Sequence, residues 1–384
     1  MNFILLGISH KTAPVKVRER YSFSKKRLSE TLIRLSRNKM IDEVVLLCTC
    51  NRTEIYANTL ARRDLAGGDF TDAAKKSLYS ELRRACRQAG TTNYPTTSLR
   101  AGELQYFYFL QNKDVIKHLF RVGAGLDSQV IGESQILGQV KNAYFHAKEL
   151  GTTGKYFYKL FQKAIEAGKI VHRTTKISEG NISIGTVALR MAENLLGTLN
   201  GKKILIIGTG KTGELAAKYL ADRGISGSFV ANRTHEKAIE LAAKIGGRAV
   251  GFNNLKNEIK DTDIIISATA SPHLILKKEM IREIMSLRRK PLCLMDLALP
   301  RDIDPEIKCI NNVSLCNLDD FNLIIEENYR KRVQEAKKAE EIIKEEVKKF
   351  WKCLNEPRTT PRLRSGQANY EPRLESAPVR AGLL

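Results

Sequence analysis

Over roughly its first 150 residues the chain interleaves short apolar runs with amphipathic ones. Residues 3–9 (FILLGIS) are an apolar run of strand length. Residues 22–37 place Leu28, Leu32, Ile33 and Leu35 at helical spacing, which predicts a helix with one buried face. Residues 44–50 (VVLLCTC) predict a buried strand running into a turn. Strands and helices in alternation point to an α/β or α+β unit. The stretch 87–103 turns polar and predicts a loop or insertion. From 114 to 176 the pattern is helical, broken at 123–125, at Gly132 and at 151–154.

The middle of the chain is patterned more sharply. Residues 203–207 (KILII) predict a buried strand, followed by Gly208-Thr-Gly-Lys-Thr-Gly213 and a helix that Gly224 closes. A second strand falls at 228–231, and further βα units at 263–270 (DIIISATA) and 291–300 (PLCLMDLALP). That succession predicts a doubly wound parallel sheet. From 326 to 354 the chain is charge-dense and helical. Val333, Ala336, Ile343, Val347, Phe350 and Leu354 recur at a spacing near 3.5, a narrow coiled-coil-like seam. One helix cannot bury such a stripe on itself, so it needs another helix or a second subunit. Beyond Pro357 the periodicity stops, and the tail reads as disordered.

The expected class is therefore multi-domain α/β. An N-terminal α+β domain spans 1–157. A doubly wound nucleotide-binding domain with a preceding helical linker spans 158–310. A helical region spans 311–384, its tail beginning at about 357. A chain of 384 residues suits two or three domains. With 42% hydrophobic and 28% charged residues, composition excludes a wholly disordered or collagen-like protein. No uncharged apolar run reaches the roughly 18–20 residues of a membrane span, and the N-terminus lacks the basic region and cleavage site of a signal peptide. Charge changes the picture more. Sixty-four Lys and Arg against 42 Asp and Glu leave +22, which attracts polyanions. Nucleic acid is the first such partner and an anionic membrane surface the second, while a generally basic proteome is the plain reading. Seven scattered cysteines form no disulfide framework, so a reducing cytoplasm is the expected home, with most thiols acting as small core hydrophobes.

A lone GxGxxG is weak, but here it joins a strand to a helix, the context that gives it meaning. Gly208 permits the tight turn, Gly210 lets a pyrophosphate approach, and Gly213 lets helix pack on strand; Thr209, Lys211 and Thr212 complete the loop. At the end of the second strand stand Asn232, Arg233 and Thr234 rather than an acid. No carboxylate repels a 2′-phosphate there and an Arg can pair with one, so NADPH is expected over NADH. The other informative stretch is 46–56, where a strand ends in Cys48 and Cys50 followed by Asn51 and Arg52. A neighbouring guanidinium stabilises a thiolate. Core packing, half a metal site and a redox pair compete with a nucleophile at Cys50. A reactive thiol beside a reduced nicotinamide defines a chemistry: acyl transfer to sulfur, then hydride reduction of the thioester to an aldehyde. The basic surface points to an acyl group carried on a polyanion.

Five motifs in order carry a resemblance to a known family. They are Gly7-Ile-Ser-His-Lys-Thr-Ala-Pro-Val15, Thr49-Cys-Asn-Arg-Thr-Glu-Ile-Tyr56, the run from Gly125 to Lys141, the Gly208 turn with Ala231-Asn-Arg-Thr234, and Asp296-Leu-Ala-Leu-Pro-Arg-Asp-Ile-Asp-Pro305. Over about residues 3–354 the chain resembles glutamyl-tRNA reductase. The resemblance implies reduction of glutamyl-tRNA(Glu) by NADPH to glutamate-1-semialdehyde, the first step toward 5-aminolevulinate and tetrapyrroles, with no metal. It implies Cys50 as nucleophile and Thr49, Asn51 and Arg52 as substrate loop, with Arg52 suited to fork onto the γ-carboxylate. It also implies substrate contacts at Ser128, Glu133, Ser134, Gln135 and Gln139, a homodimer, and hand-over of product to glutamate-1-semialdehyde aminomutase. His10 lies in a family motif and receives no chemistry.

Departures stand beside the matches. Cys48 occupies a position that is usually Ser, Lys211-Thr212 one that is often Glu-Met, and Leu110 one where many members carry His or Tyr. Relatives continue into a helical dimerisation domain that is expected to be shortened here, which puts dimerisation in doubt. Three other readings differ in what they leave unexplained. A shikimate- or quinate-dehydrogenase-like oxidoreductase ignores the thiol motif. A protein that binds glutamyl-tRNA without reducing it would form thioester and no aldehyde. A bare nucleic-acid binder needs neither loop nor thiol.

Overall fold

The computed structural model describes residues 2–59, 70–87, 101–178, 183–225, 228–244 and 246–356. The N-terminal part runs β1 (Asn2–Ser9), α1 (Val15–Arg18), α2 (Lys25–Ser36), β2 (Ile41–Cys48), β3 (Arg52–Thr59), α3 (Phe70–Arg87), β4 (Tyr108–Gln111), α4 (Lys113–Gly123), α5 (Gln135–Glu149) and α6 (Lys155–Thr174). Its four strands form an antiparallel sheet in the order β2-β3-β1-β4. The expected breaks at 123–125, 132 and 151–154 fall between α4, α5 and α6. Aromatic side chains fill the space between sheet and helices: Phe3 lies 5.9 Å from Phe157, and Tyr56 lies 5.6 Å from Phe161 (ring centroids). The expected boundary at 157 lies inside α6. Phe157, Leu160, Phe161, Ala164, Ala167 and Val171 are all buried in this N-terminal core, so the helix packs there as one piece and the core reaches Ile177.

The second part starts with α7 (Ile184–Leu196), capped by Ser183, whose side chain accepts from the Thr186 amide. It continues β5 (Ile204–Ile207), α8 (Lys211–Asp222), β6 (Ser228–Asn232), α9 (His235–Lys244), β7 (Arg248–Gly251), α10 (Leu255–Asp261), β8 (Ile264–Ser267), α11 (Lys278–Leu287), β9 (Leu292–Asp296) and β10 (Val313–Asn317). These six strands are all parallel, in the order β10-β9-β8-β5-β6-β7. Strand order reverses between β5 and β8, and ligands of such sheets bind at that switch point. Helices cover both faces, which is why β5 and β8 are buried along their whole length.

Last comes α12 (Asn322–Asn355), 34 residues long. Its seam turns inward on the same chain: Ala339, Ile343, Val347 and Phe350 are buried in the N-terminal core, with Phe350 5.8 Å from Phe120 of α4. Periodicity had left the partner open between a helix and a subunit, and α4 and α6 fill that role. Most of the described cysteines pack in or against a core, as expected, and two do not. Cys293 is buried, whereas Cys309 and Cys353 are exposed and Cys48, Cys50 and Cys316 lie between. The exposed two fall at the end of a short 3₁₀ turn and on the solvent side of α12. Of the remaining expectations, most of the polar stretch 87–103 and the tail beyond Glu356 lie outside the described residues. Among the described residues no helix is long and apolar enough to cross a membrane.

Candidate active site

β2 and β3 are antiparallel neighbours joined by Thr49, Cys50 and Asn51. Thr49 organises the turn. Its amide donates to the Arg52 carbonyl at 2.8 Å, and its hydroxyl accepts from the Asn51 and Arg52 amides at 3.1 and 3.2 Å. The His10 amide ties the turn to the end of β1 through the Asn51 carbonyl, at 2.9 Å. Cys50 is thus held at the tip of a hairpin that cannot slide without breaking its register. Its thiol lines a cavity of about 30 Å³ with Thr49, Asn51, Arg52, Ser128, Glu133, Gln135, Gln139, Ile136, Ile184 and Thr212. That volume holds no more than a water or two. Burial, reinforced by the Glu133 carboxylate and partly offset by Arg18, pushes the Cys50 thiol up to about 12. Burial alone raises the Glu133 carboxyl to about 7.

Beneath the turn lies a buried ionic network. Arg52 Nη1 donates to Glu54 Oε1 at 2.7 Å and to Asp127 Oδ2 at 3.1 Å, and Nη2 donates to the Asp127 carbonyl. The Tyr56 and Tyr108 hydroxyls donate to Glu54, and His118 Nε2 lies 2.9 Å from Glu54 Oε1. Burial pushes Glu54 up, but Arg52 and His118 outweigh it and hold its carboxyl well below the usual range. Asp127, paired also with Lys11, is lowered in the same way against the same penalty. His10 stays neutral: burial, then the Arg52, Lys11 and Arg18 cations, lower it to about 3. Glu54, Asp127, Tyr108 and His118 were not singled out from sequence. Glu54 and Asp127 sat inside quoted motifs, and only their burial reveals their role.

The glycine turn follows β5. Gly208 has φ +105°, and a Cβ there would crowd the Ala268 carbonyl at the end of β8. At Gly213 a Cβ would overlap the Gly208 carbonyl, which fixes the start of α8 against β5. Nothing crowds Gly210, the N-cap of α8, so the helix N-terminus is open to an anion. Thr209 and Lys211 flank it, with Lys211 Nζ 3.5 Å from Glu214. At the end of β6, Asn232 Nδ2 donates to the Thr234 carbonyl, and Arg233 and Thr234 are exposed. An open helix end, two crowded glycines and an exposed Arg suit a dinucleotide with a 2′-phosphate.

The structure gathers Thr49, Cys50, Asn51, Arg52, Ser128, Glu133, Gln135 and Gln139 in one cavity and adds Thr212 from the glycine turn. Ser134 is not among them: it is the exposed N-cap of α5. Arg52 lines the cavity, but three of its N–H bonds already go to Glu54 and Asp127, so a substrate carboxylate would compete with an internal partner. Leu110 packs against the N-terminal core, opposite Leu5 of β1. Cys48 lies with its sulfur 3.5 Å from the Thr53 hydroxyl, and burial raises it.

Residues 6–175 match the family model for the N-terminal domain of glutamyl-tRNA(Glu) reductase, and residues 190–324 match the model for shikimate / quinate 5-dehydrogenase. The glutamyl-tRNA reductase of Pelobacter propionicus is 39% identical over 372 residues, covering 97% of this chain and 81% of that protein. The glutamyl-tRNA reductase of Pelotomaculum thermopropionicum is 40% identical over 356 residues, covering 92% and 76%. A solved structure of the enzyme from Methanopyrus kandleri is 34% identical and covers 92% of this chain and 80% of that one, with a TM-score of 0.48.

Proposed function

The chain belongs to the glutamyl-tRNA reductase family, and from that premise we propose that it reduces glutamyl-tRNA(Glu) to glutamate-1-semialdehyde through a thioester on Cys50. The observation that carries this reading is the shared cavity: the Cys50 turn of one unit and Thr212 of the nucleotide turn of the other line the same small space. A thiol acylated there lies against the place from which reduction would come.

The steps follow from the residues. At neutral pH the Cys50 thiol is protonated, so it must lose its proton to attack. Glu133, held near 7 in the same cavity, is the carboxylate that accepts it. The Cys50 sulfur attacks the ester carbonyl, the bond from the acyl carbon to the ribose oxygen breaks, that oxygen takes the proton back from Glu133, and the thioester remains. Gly208, Gly210 and Gly213 with Arg233 would hold NADPH, which supplies hydride when bound. Arg52 and Asp127 fix the floor of the cavity, and Thr49, Asn51, Ser128, Gln135 and Gln139 offer hydrogen bonds to the glutamyl group. The cavity is too small for an aminoacyl end, so the units must part to load substrate and close to exclude water. The +22 charge favours the tRNA phosphates.

Single-turnover reaction with radiolabelled glutamyl-tRNA, with and without NADPH, tests the reading. Label should stay on the protein without NADPH, semialdehyde should appear with it, and Cys50→Ser should give neither. Retained reduction by Cys50→Ser refutes the thioester route. The same reading carries partner proposals from the family, a homodimer and hand-over of the aldehyde to an aminomutase, which light scattering and cross-linking check. It also carries a reducing cytoplasm, consistent with six free cysteines among the described residues.

A further inference from the structure

Arg18, at the end of α1, is a guanidinium buried at the joint between the two units, its side chain 2% exposed. All of its arms are engaged. Nε donates to the Ala13 carbonyl at 3.1 Å. Nη1 donates to the Cys50 carbonyl at 2.7 Å and to Asn51 Oδ1 at 3.3 Å. Nη2 donates to Asp319 Oδ1 at 2.8 Å. Asp319 lies in the turn between β10 and α12, on the far side of the joint from Cys50. That turn holds it in place, since its amide donates to Asn317 Oδ1 at 2.8 Å. Its second oxygen accepts from the Val15 amide at 2.7 Å. One rigid planar group thus bridges the backbone of the candidate nucleophile to a carboxylate that lies 301 positions from Arg18 in sequence. A planar fork transmits a displacement of one partner to the other, which a flexible ammonium does not.

We propose that Arg18 is a positioning residue that couples docking of the nucleotide-binding unit to the pose and reactivity of the Cys50 turn, with Asp319 as its counter-anchor. The proposal rests on Cys50 being the nucleophile. When the joint closes, Asp319 draws Arg18 into place, and Arg18 fixes the Cys50 carbonyl and brings a cation beside the sulfur. When it opens, the Asp319 contact is lost and the turn loses one of its fixed points. The other titratable groups around the sulfur are Glu133, which opposes Arg18, and the neighbouring Cys48, whose thiol burial raises.

Because Asp319 places the cation, removing either anchor should slow the thiol although the two carry opposite charge; a merely structural loosening would expose the thiol and speed it. Iodoacetamide labelling at pH 8 reads this in a Cys48→Ser background, where the tryptic peptide 40–52 carries one thiol. Arg18→Gln should slow Cys50 labelling about tenfold, the effect of one pH unit from a lost neighbouring charge. Asp319→Asn frees Arg18 from its counter-anchor and should slow it as well, by several-fold. Arg18→Lys keeps the charge but cannot span both anchors; labelling should stay near the parent rate while single-turnover aldehyde formation falls several-fold. If either Arg18→Gln or Asp319→Asn speeds labelling, or if neither changes labelling or turnover, the coupling is refuted. Should Arg18→Gln not fold, Asp319→Asn decides: slower labelling supports the coupling, and unchanged or faster labelling refutes it. If Cys50→Ser still reduces substrate, the nucleophile reading falls. The labelling order would still test the coupling of Arg18 to the turn.

Discussion

Replacing Glu133 by Gln should make the protein more stable and less active, and the first effect has a pH signature. The carboxyl is raised from 4.5 to about 7 by burial. A group whose folded-state pKa lies above its unfolded value binds more protons folded than unfolded between the two. Stability contributed by its protonated form is complete below about 4.5 and is lost as pH rises to about 7. At about 1.36 kcal/mol per unit, the folded state pays about 3 kcal/mol at pH 8 that it does not pay at pH 4. Gln has nearly the same shape and does not titrate. The stability difference, Glu133→Gln minus parent, should therefore grow from near zero at pH 4 to about 3 kcal/mol at pH 8. The assay is urea unfolding at several pH values followed by fluorescence. The single tryptophan, Trp351, packs against the N-terminal core and reports the unit that carries Glu133. A difference that is flat with pH, or largest at low pH, refutes the burial argument. Turnover is the second reading: Gln cannot take the Cys50 proton, so thioester formation should slow by about 10²–10⁴-fold. Unchanged acylation would remove Glu133 from the mechanism while leaving the stability result intact.

Three further outcomes follow from the same geometry. Arg233→Ala should weaken NADPH by about tenfold to a hundredfold, the worth of one charge-assisted hydrogen bond, and NADH far less; equal losses by titration calorimetry would remove the 2′-phosphate contact. Gly213→Ala puts a Cβ into the Gly208 carbonyl and should cost about 1–3 kcal/mol and most dinucleotide affinity; unaltered binding would mean the turn relaxes freely. Phe350→Ala empties a buried site against Phe120 and should cost about 3–5 kcal/mol in unfolding; a loss below about 1 kcal/mol would mean that α12 does not support the N-terminal core.

What could be read from the sequence was what lies close together in it. The Gly208 turn needs only a strand before it and a helix after it, and both are within ten residues. The Cys50 hairpin is equally local: Thr49, Asn51 and Arg52 organise their own turn. Periodicity located α12 but could not say what covers its stripe, because Phe120 lies 230 residues away. At Leu110, where many members carry His or Tyr, strand pairing places the side chain against an apolar core. Ser134 stands in a matching motif, and the structure places it at the exposed N-cap position of α5, outside the cavity lining. Arg18 had no signal at all, since a basic residue among basic residues reads as solvated until the joint buries it.

The joint also explains why a site with an unreactive thiol can be an active one. A thioester must be shielded from bulk water, and a cavity of about 30 Å³ admits no more than a water or two. An aminoacyl-RNA end must reach the same sulfur, and that cavity forbids it. Both demands are met only if the interface opens and closes, so the forces across it must be specific without being strong. Arg301 donates to Glu19 at 2.7 and 2.8 Å and Arg18 to Asp319 at 2.8 Å. Such pairs suit the task, because charges regain their hydration on opening and much of the Coulombic gain of closing is offset. A wholly apolar joint of the same area would give closure with no such compensation. On the proposed route, burial keeps the Cys50 thiol protonated between turnovers, in a space too small for an acyl donor.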